Sequence, residues 1–228
     1  MESSLHRQLK ELYGGSPEVC EVVVGGFRID ALAGGRLVEI QRASLGAIRN
    51  KIATLVEGHR VTLVKPIPAR TLIVRRQSVR GAELSRRYSP LKRSVFHLFE
   101  ELVHFGTVFP HPRLELEVVL MEQEERRIAR AKRRFNGPDY RVEDRLLLSV
   151  VSRHRFRTVA DLAALLPVEL TSPFHTQDLA DAAGIPRWLA QKMAYCLARC
   201  GAIEAAGKFG RSVLYVRTST TGRRRKSA

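Results

Sequence analysis

The sequence predicts a mixed α/β fold, and the first 67 residues provide the main observations. Three short β-rich segments lie between two amphipathic helical segments, and a continuous apolar run typical of a buried strand follows. Glycine pairs close two of the β-rich segments, as hairpin or meander turns require. The predicted helices are residues 4–13 and 45–57, and the predicted strands are 21–24, 27–32, 36–41 and 61–64. The predicted element order is therefore α-β-β-β-α-β.

The chain is strongly basic. Its 228 residues include 39 lysines and arginines against 23 aspartates and glutamates, which gives a net charge of +16 and an isoelectric point near 10.7. Such an excess favours polyanionic partners, above all nucleic acid. No apolar run approaches the ~20 residues of a membrane helix, and the first ten residues lack an export signal core. We therefore expect DNA as the partner, no membrane and, with three cysteines, a cytoplasmic location with reduced thiols.

Charge and composition divide the chain into four predicted parts. Residues 1–67 are almost neutral, because nine basic groups meet seven acidic ones. Pro66 and Pro68 should end the last strand of this part, since proline cannot donate to a sheet. Residues 68–157 are predicted to form a basic α+β extension with a long hairpin. Their helices and strands are the hardest to assign from the sequence. Residues 158–217 contain helices followed by two strands, and residues 218–228 are predicted to be a basic, disordered tail.

Three carboxylates of the first part occupy unusual places. Asp30 lies inside a predicted strand, where aspartate is depleted. Glu39 lies inside the next strand and shares one face with Gln41, because side chains alternate along a strand. Glu2 falls on the same side of the first helix as its apolar stripe. The hairpin can bring Asp30 beside Glu39, so we expect these acids to converge.

Clustered carboxylates repel one another, and burial raises their pKa values. A divalent cation offsets both costs, and Mg²⁺ (or Mn²⁺) prefers oxygen ligands. The alternative is that each acid has a separate structural role. Glu2 would then complement the positive end of its helix, Asp30 would hydrogen-bond a turn, and Glu39 would pair with an arginine such as Arg28.

The element order, with Asp30 on the second strand and Glu39-Ile40-Gln41 on the third, resembles the PD-(D/E)xK nuclease superfamily. That superfamily contains restriction endonucleases and Holliday junction resolvases, and the resemblance covers residues 1–67. It implies a restriction endonuclease-like core with Mg²⁺-dependent DNA endonuclease activity. Asp30 and Glu39 would match the metal ligands, and Glu2 would match an additional acid of resolvase-like members. Many such nucleases are dimers, which leaves a homodimer open.

The sequence departs from this superfamily at Gln41, where most members have a lysine that orients the attacking water. Lys51, which flanks the apolar stripe of the second predicted helix, is a candidate for the missing cation. The alternative is that Lys51 is an ordinary surface lysine.

Residues 158–217 resemble a winged helix-turn-helix domain, a DNA-binding fold. Its second motif helix would begin at Pro186 and enter the major groove. The candidate DNA contacts on this helix and on the wing are Arg187, Trp188, Gln191, Lys192, Lys208 and Arg211. Trp188 could equally belong to the core, and the whole module could instead bind protein.

Two functions therefore remain from the sequence. The first is a Mg²⁺-dependent DNA endonuclease that acts on branched or otherwise structured DNA, with Glu2, Asp30, Glu39, Gln41 and Lys51 as its catalytic residues. The second is a non-catalytic DNA-binding protein or transcriptional regulator whose nuclease-like part is degenerate.

Overall fold

The computed structural model describes residues 3–14, 20–130 and 137–218. The predicted α/β class is confirmed, since a mixed sheet is combined with helices. The helices are α1 Ser4–Gly14, α2 Arg49–Gly58, α3 Leu98–Leu102, α4 Val159–Ala163, α5 Thr176–Ala183 and α6 Arg187–Arg199. The strands are β1 Cys20–Val24, β2 Phe27–Ala33, β3 Arg36–Ile40, β4 Val61–Arg76, β5 Glu83–Tyr88, β6 Leu114–Ala129, β7 Tyr140–Phe156, β8 Ile203–Phe209 and β9 Ser212–Arg217.

Seven strands form the main sheet, in the order β1-β2-β3-β4-β6-β7, with β5 added to the far end of β4. The β1-β2-β3 meander is antiparallel, whereas β3, β4 and β6 are parallel to one another. Helix α2 connects β3 to β4, as a crossover between parallel strands requires. Strand β7 returns antiparallel along the whole of β6, so the long hairpin expected from the sequence is present.

Strand β4 differs from its prediction, because it runs through Pro66 and Pro68. It pairs with β3 only up to Val64 and with β5 only from Leu72. The Val64 carbonyl faces β3, where it accepts a hydrogen bond from the Gln41 N–H. Because alternate residues of a strand turn their backbone groups to the same side, both prolines face a gap between β3 and β5. No ladder hydrogen bond is lost there, which explains why the strand continues.

The predicted boundary after residue 67 therefore falls inside β4. The segment expected to be a separate extension contributes the second half of β4 together with β5, β6 and β7 to the same sheet. The apolar spacing of residues 94–105 is typical of a helix, but the structure forms only a 3₁₀ turn followed by the five-residue α3 there. Among the described residues, no helix is both long and apolar enough to cross a membrane.

The sheet is covered on both faces. Helix α1 covers one face by burying Leu5 and Leu9 completely against Ala31, Val38 and neighbouring strand residues. Helices α2 and α3 cover the other face, and α6 packs on α3 there. Residues 158–218 then follow the order α4, an isolated bridge at Phe174, α5, α6, β8 and β9, with Phe174 paired to Tyr215 of β9. Gly184 joins α5 to α6 in the left-handed conformation, at φ +62°, that favours glycine.

Candidate functional site

Asp30 and Glu39 lie where β2 and β3 separate. The antiparallel register places Ala31 opposite Val38, so one further step brings Asp30 opposite Glu39. Beyond that point the Asp30 side chain replaces the backbone as the hydrogen-bond acceptor, and its Oδ2 accepts a hydrogen bond of 2.7 Å from the Ile40 N–H. The two carboxylates expected to converge are therefore neighbours at the open end of the β2–β3 hairpin, away from its turn.

The Asp30 carboxylate also contacts α1. Its Oδ1 lies 3.1 Å from Nε2 of His6. Burial raises the pKa of Asp30, but the hydrogen bonds from His6 and from the Ile40 N–H outweigh that effect, and the pKa is lower than usual. Asp30 is therefore held as a carboxylate between the sheet edge and the first helix.

Glu39 has a hydrogen-bonding environment that is less complete than that of Asp30. The residue is only 8% exposed, and its Oε1 forms an ion pair of 2.7 Å with Nζ of Lys51 on α2. Its Oε2 is buried and has no hydrogen-bond partner among the described residues. Burial and the nearby charge of Asp30 raise the pKa of Glu39, although Lys51 partly opposes them. A buried acceptor without a donor is costly and requires an explanation.

Lys51 is not a free surface lysine, since 19% of its side chain is exposed. Its Nζ donates a hydrogen bond of 2.6 Å to the Arg28 carbonyl in addition to pairing with Glu39. Arg28 itself pairs with Glu21, so the Arg28–Glu39 pair considered from the sequence is not formed. Lys51, the cation predicted for this cluster, therefore contacts Glu39 directly.

Gln41 lies one residue beyond β3. Its amide Nε2 donates to the Ser44 carbonyl at 2.9 Å, and among the described residues it has no hydrogen bond to Asp30 or Glu39. Glu2, the third predicted acid, lies outside the described residues. The structure thus brings together Asp30, Glu39 and Lys51 and turns the Gln41 amide towards a loop.

His6 is the residue that the sequence did not single out. The seven histidines of the chain are scattered, and their positions show no metal-ligand spacing. The signal was available, because the helical spacing from which we expected Glu2 to face the sheet also places residue 6, four positions later, on that side. Within the described ranges no group of three or more His, Cys, Asp or Glu side chains is arranged to hold a metal ion.

The residues that could hold a divalent cation are accordingly Asp30 and Glu39. Mg²⁺ is commonly bound through only one or two carboxylates, with water and substrate phosphate completing its shell. The unpartnered Glu39 Oε2 offers an oxygen, and each Asp30 oxygen keeps a free lone pair beside its single hydrogen bond. The donor chemistry of this pair fits such an ion.

A second feature is a basic groove of about 580 Å³ between α6 and the β8–β9 hairpin. Arg187, Gln191 and Arg199 line it from the helix, and Arg211 lines it from the hairpin. Lys208 is exposed on the same hairpin, at the end of β8. Three arginines around an open groove make a surface suited to a polyanion.

Trp188 and Lys192 lie on the adjoining surface of α6. Trp188 is 45% exposed, and its ring meets the edge of His97 at 6.3 Å between centroids. The Lys192 ammonium lies 5.3 Å from the centre of the indole. The alternative that Trp188 is a core residue is therefore wrong, although the tryptophan is not part of the groove lining.

A run of basic residues begins near the end of β6 and contains Arg126, Arg127, Arg130, Lys132, Arg133 and Arg134. Arg130 donates a hydrogen bond to the Tyr140 carbonyl. Arg126 pairs with Glu124 at 2.8 Å, and Arg127 pairs with Glu125 at 2.7 Å. The rest of that run, residues 132–134, and the predicted tail after residue 218 lie outside the described residues.

Comparison with known proteins identifies the family. The profile described as "Domain of unknown function (DUF8091)" matches residues 3–157. The chain belongs to the DUF8091 family. The DUF8091 match spans the seven-stranded sheet with α1 to α3 and ends before α4. An uncharacterized protein of Treponema pallidum (strain Nichols) is 31% identical over 216 residues, which cover 94% of this chain and 84% of that protein. No solved structure matches the chain.

Proposed function

We propose that this DUF8091 protein is a divalent-cation-dependent DNA endonuclease whose cleavage site is formed by Asp30, Glu39 and Lys51. The observation that supports it most is the buried Glu39 Oε2, which has no donor in the part of the chain that the structure describes and lies beside a second carboxylate. A bound Mg²⁺ would satisfy that oxygen and would supply Lewis-acid activation of a water and of the phosphate.

The side chains themselves have separate tasks in this proposal. Asp30 and Glu39 hold the cation, and His6 and the Ile40 N–H fix the orientation of Asp30 through their hydrogen bonds. Lys51 balances the charge of Glu39, and its ammonium is the nearest group able to stabilise negative charge developing on a phosphate. Gln41 would have to leave the Ser44 carbonyl before it could orient a water.

The C-terminal module supports DNA as the substrate. Its order of helix, bridge strand, two helices and hairpin is similar to that of a winged helix, with α6 as the helix that enters the major groove. The arginines of the α6 groove would contact phosphates, and Lys208 would contact the backbone from the hairpin. We also propose a cytoplasmic location, because Cys196 and Cys200 are unpaired thiols.

The test is cleavage of supercoiled plasmid, a four-way junction and single-stranded DNA with Mg²⁺ or Mn²⁺. We expect Glu39→Gln and Asp30→Asn to reduce the cleavage rate at least about 100-fold, because even groups that only support metal ligands contribute about 10–100-fold. Both replacements keep side-chain size, and circular dichroism verifies the fold. Equal background cleavage by the wild type and both variants would refute the proposal.

A matched control is Glu57→Gln, which removes an exposed carboxylate at the end of α2. Its cleavage rate should remain within about twofold of the wild type, since surface substitutions away from a site have small effects. Mn²⁺ binding to each variant, measured by calorimetry, separates loss of the ion from loss of the fold.

The second candidate is a non-catalytic DNA-binding protein. It is favoured by the hydrogen bonds of Asp30, in which each oxygen already has one partner, and by the Glu39–Lys51 ion pair. Such pairing is also what a purely structural cluster would show. Specific DNA binding without metal, together with no cleavage of the bound site, would favour this candidate.

A further inference from the structure

A cavity of about 310 Å³ occupies the gap in the sheet beside β4. The gap exists because β3 ends at Ile40 and β5 pairs only from Leu72 onwards. Pro66 and Pro68 line the cavity at the point where their missing amide hydrogens leave the strand edge open. The cavity reaches both faces of the sheet and begins one residue beyond Gln41, at Arg42.

The lining of this cavity carries an excess of positive charge. Four cationic side chains face two carboxylates, and His97 is part of the same lining. The cations are Arg42, Lys65, Arg93 and Arg145, and the carboxylates are Glu101 and Glu125. Burial lowers the pKa of His97, which favours its neutral form.

Two of the cations are already balanced. Lys65 is 5% exposed, and its Nζ pairs with Glu101 at 2.8 Å while donating to the Arg42 and Ala43 carbonyls. Arg145 pairs with Glu125 at 2.8 Å, although Glu125 is shared with Arg127. These residues therefore form the fixed walls of the cavity.

Arg42 and Arg93 are not balanced in the same way. Arg42 is half-buried, its guanidinium donates to the Ser3 hydroxyl, and it forms no ion pair with a carboxylate among the described residues. Burial lowers the pKa of Arg42 and the neighbouring Arg145 lowers it further, although Asp144 and Glu125 partly oppose these effects. Among the described residues, Arg93 forms a single, distant ion pair, with Glu100 at 4.0 Å. Both guanidinium groups line the cavity, so an anion bound in it would offset their positive charge.

We propose that this cavity binds the phosphate monoester of a nucleotide, with Arg42 and Arg93 as its principal phosphate ligands. Guanidinium groups match phosphate oxygens by paired hydrogen bonds, which favours phosphate over a single-point anion. The volume reaches the lower end of small-molecule sites, which is more than one phosphate needs. Pro66, Ile67 and Met121 supply an apolar wall for the attached nucleoside. A free mononucleotide and the phosphorylated end of a strand share this chemistry.

The test is calorimetric titration of the full-length protein in metal-free buffer. The probes are uridine 5′-monophosphate, uridine, inorganic phosphate, and a thymidine dinucleotide with or without a 5′-phosphate. We expect the monophosphate to bind one to one and uridine not to bind. Arg42→Gln should weaken monophosphate binding at least about tenfold, the usual loss when a hydrogen bond to a charged group is removed.

The control is Arg141→Gln, which removes an exposed arginine of β7 that does not line the cavity. Its affinity should change less than about twofold, as expected for a surface position. Arg93→Gln provides a second test if Arg42→Gln fails to fold, since 39% of the Arg93 side chain is exposed. If the phosphorylated dinucleotide binds more tightly than the unphosphorylated one and this difference requires Arg42, the ligand is the phosphorylated end of a strand. If only the binding of the mononucleotide requires Arg42, the ligand is a free nucleotide.

The proposal is overturned if no phosphorylated probe saturates the protein, or if Arg42→Gln and Arg141→Gln lose affinity equally. Because the titration needs neither metal nor cleavage, its outcome is independent of the nuclease proposal. If the protein binds the phosphorylated probes but shows no Asp30-dependent cleavage, the cavity proposal stands and the nuclease proposal is refuted. If it shows Asp30-dependent cleavage but binds no phosphorylated probe, the nuclease proposal stands and the cavity proposal is refuted.

Discussion

Glu39 and Glu117 show how two buried carboxylates of one sheet can differ. Glu117 is 1% exposed, yet Tyr13 donates to its Oε1 at 2.6 Å and Arg155 donates to its Oε2 at 3.1 Å. Glu39 is buried almost as deeply, but within residues 3–14, 20–130 and 137–218 only one of its oxygens has a partner. A structural role accounts fully for Glu117, whereas Glu39 retains an unused acceptor. This contrast is the reason for placing the cation at Glu39.

Asp161 provides a test at the scale of one residue. Its carboxylate accepts hydrogen bonds from the Arg157 and Thr158 N–H groups at 2.7 and 2.8 Å at the start of α4. These bonds lower the pKa of Asp161. We expect Asp161→Asn to lower the free energy of unfolding by about 0.3–1 kcal/mol near neutral pH, the usual contribution of a negative charge at a helix N-terminus.

The pH dependence follows from the direction of this shift. Because the folded pKa of Asp161 is lower than the unfolded one, its stabilisation is complete above the unfolded pKa and is lost as pH falls through the folded pKa. Urea unfolding from about pH 7 down to about pH 3 should show the two proteins converging at low pH. Asp181→Asn, at an exposed position outside the cap, is the control. A constant difference at all pH values would contradict the prediction.

At the scale of elements, α6 and the β8–β9 hairpin form one surface. Arg187 begins the helix and Arg211 lies in the turn of the hairpin, and both face the same groove. A DNA backbone lying along this groove would contact both elements. The affinity should therefore depend on the two elements together.

We expect Arg187→Ala and Arg211→Ala each to weaken DNA binding and to reduce the slope of log affinity against log salt by about one, because each removes one phosphate contact. Fluorescence anisotropy with a labelled duplex at several salt concentrations measures both quantities. Arg60→Ala, at an exposed position before β4, is the control and should leave the slope unchanged. An unchanged slope in all three variants would exclude the groove as the DNA interface.

At the scale of the whole molecule, one apolar core joins the sheet to the C-terminal helices. Leu98 and Phe99 of α3 and Met193 and Leu197 of α6 are fully buried in the same cluster. The end of the DUF8091 match at residue 157 therefore does not coincide with an end of the core. Such continuity favours a single cooperative unfolding transition.

We expect Met193→Ala to lower the free energy of unfolding by about 2–5 kcal/mol, because it leaves a cavity in this shared core. The single tryptophan, Trp188, reports on α6 by fluorescence, and far-ultraviolet circular dichroism reports on the whole chain. The two signals should change at the same denaturant concentration in the wild type and in the variant. Val168→Ala, at a residue 91% exposed, is the control. Earlier loss of the fluorescence signal would contradict a shared core.

Local sequence patterns were sufficient to predict the element order of residues 1–67 and the strands that contain Asp30 and Glu39. They succeed because alternation along strands, helical spacing and turn residues are properties of a few neighbouring positions. The same patterns located α5, α6 and the final hairpin. The continuation of β4 past Pro66 was mispredicted, since whether a proline interrupts a sheet depends on which side has a neighbour.

Other features depended on residues far apart in the chain. The contact of His6 with Asp30, the pairing of Lys51 with Glu39 and the cavity beside β4 each join separate elements. Periodicity identifies which face of an element is apolar, but it does not specify which side chains meet across two elements. Those contacts depend on strand order, register and the position at which β3 ends, and these are settled only when the chain is packed.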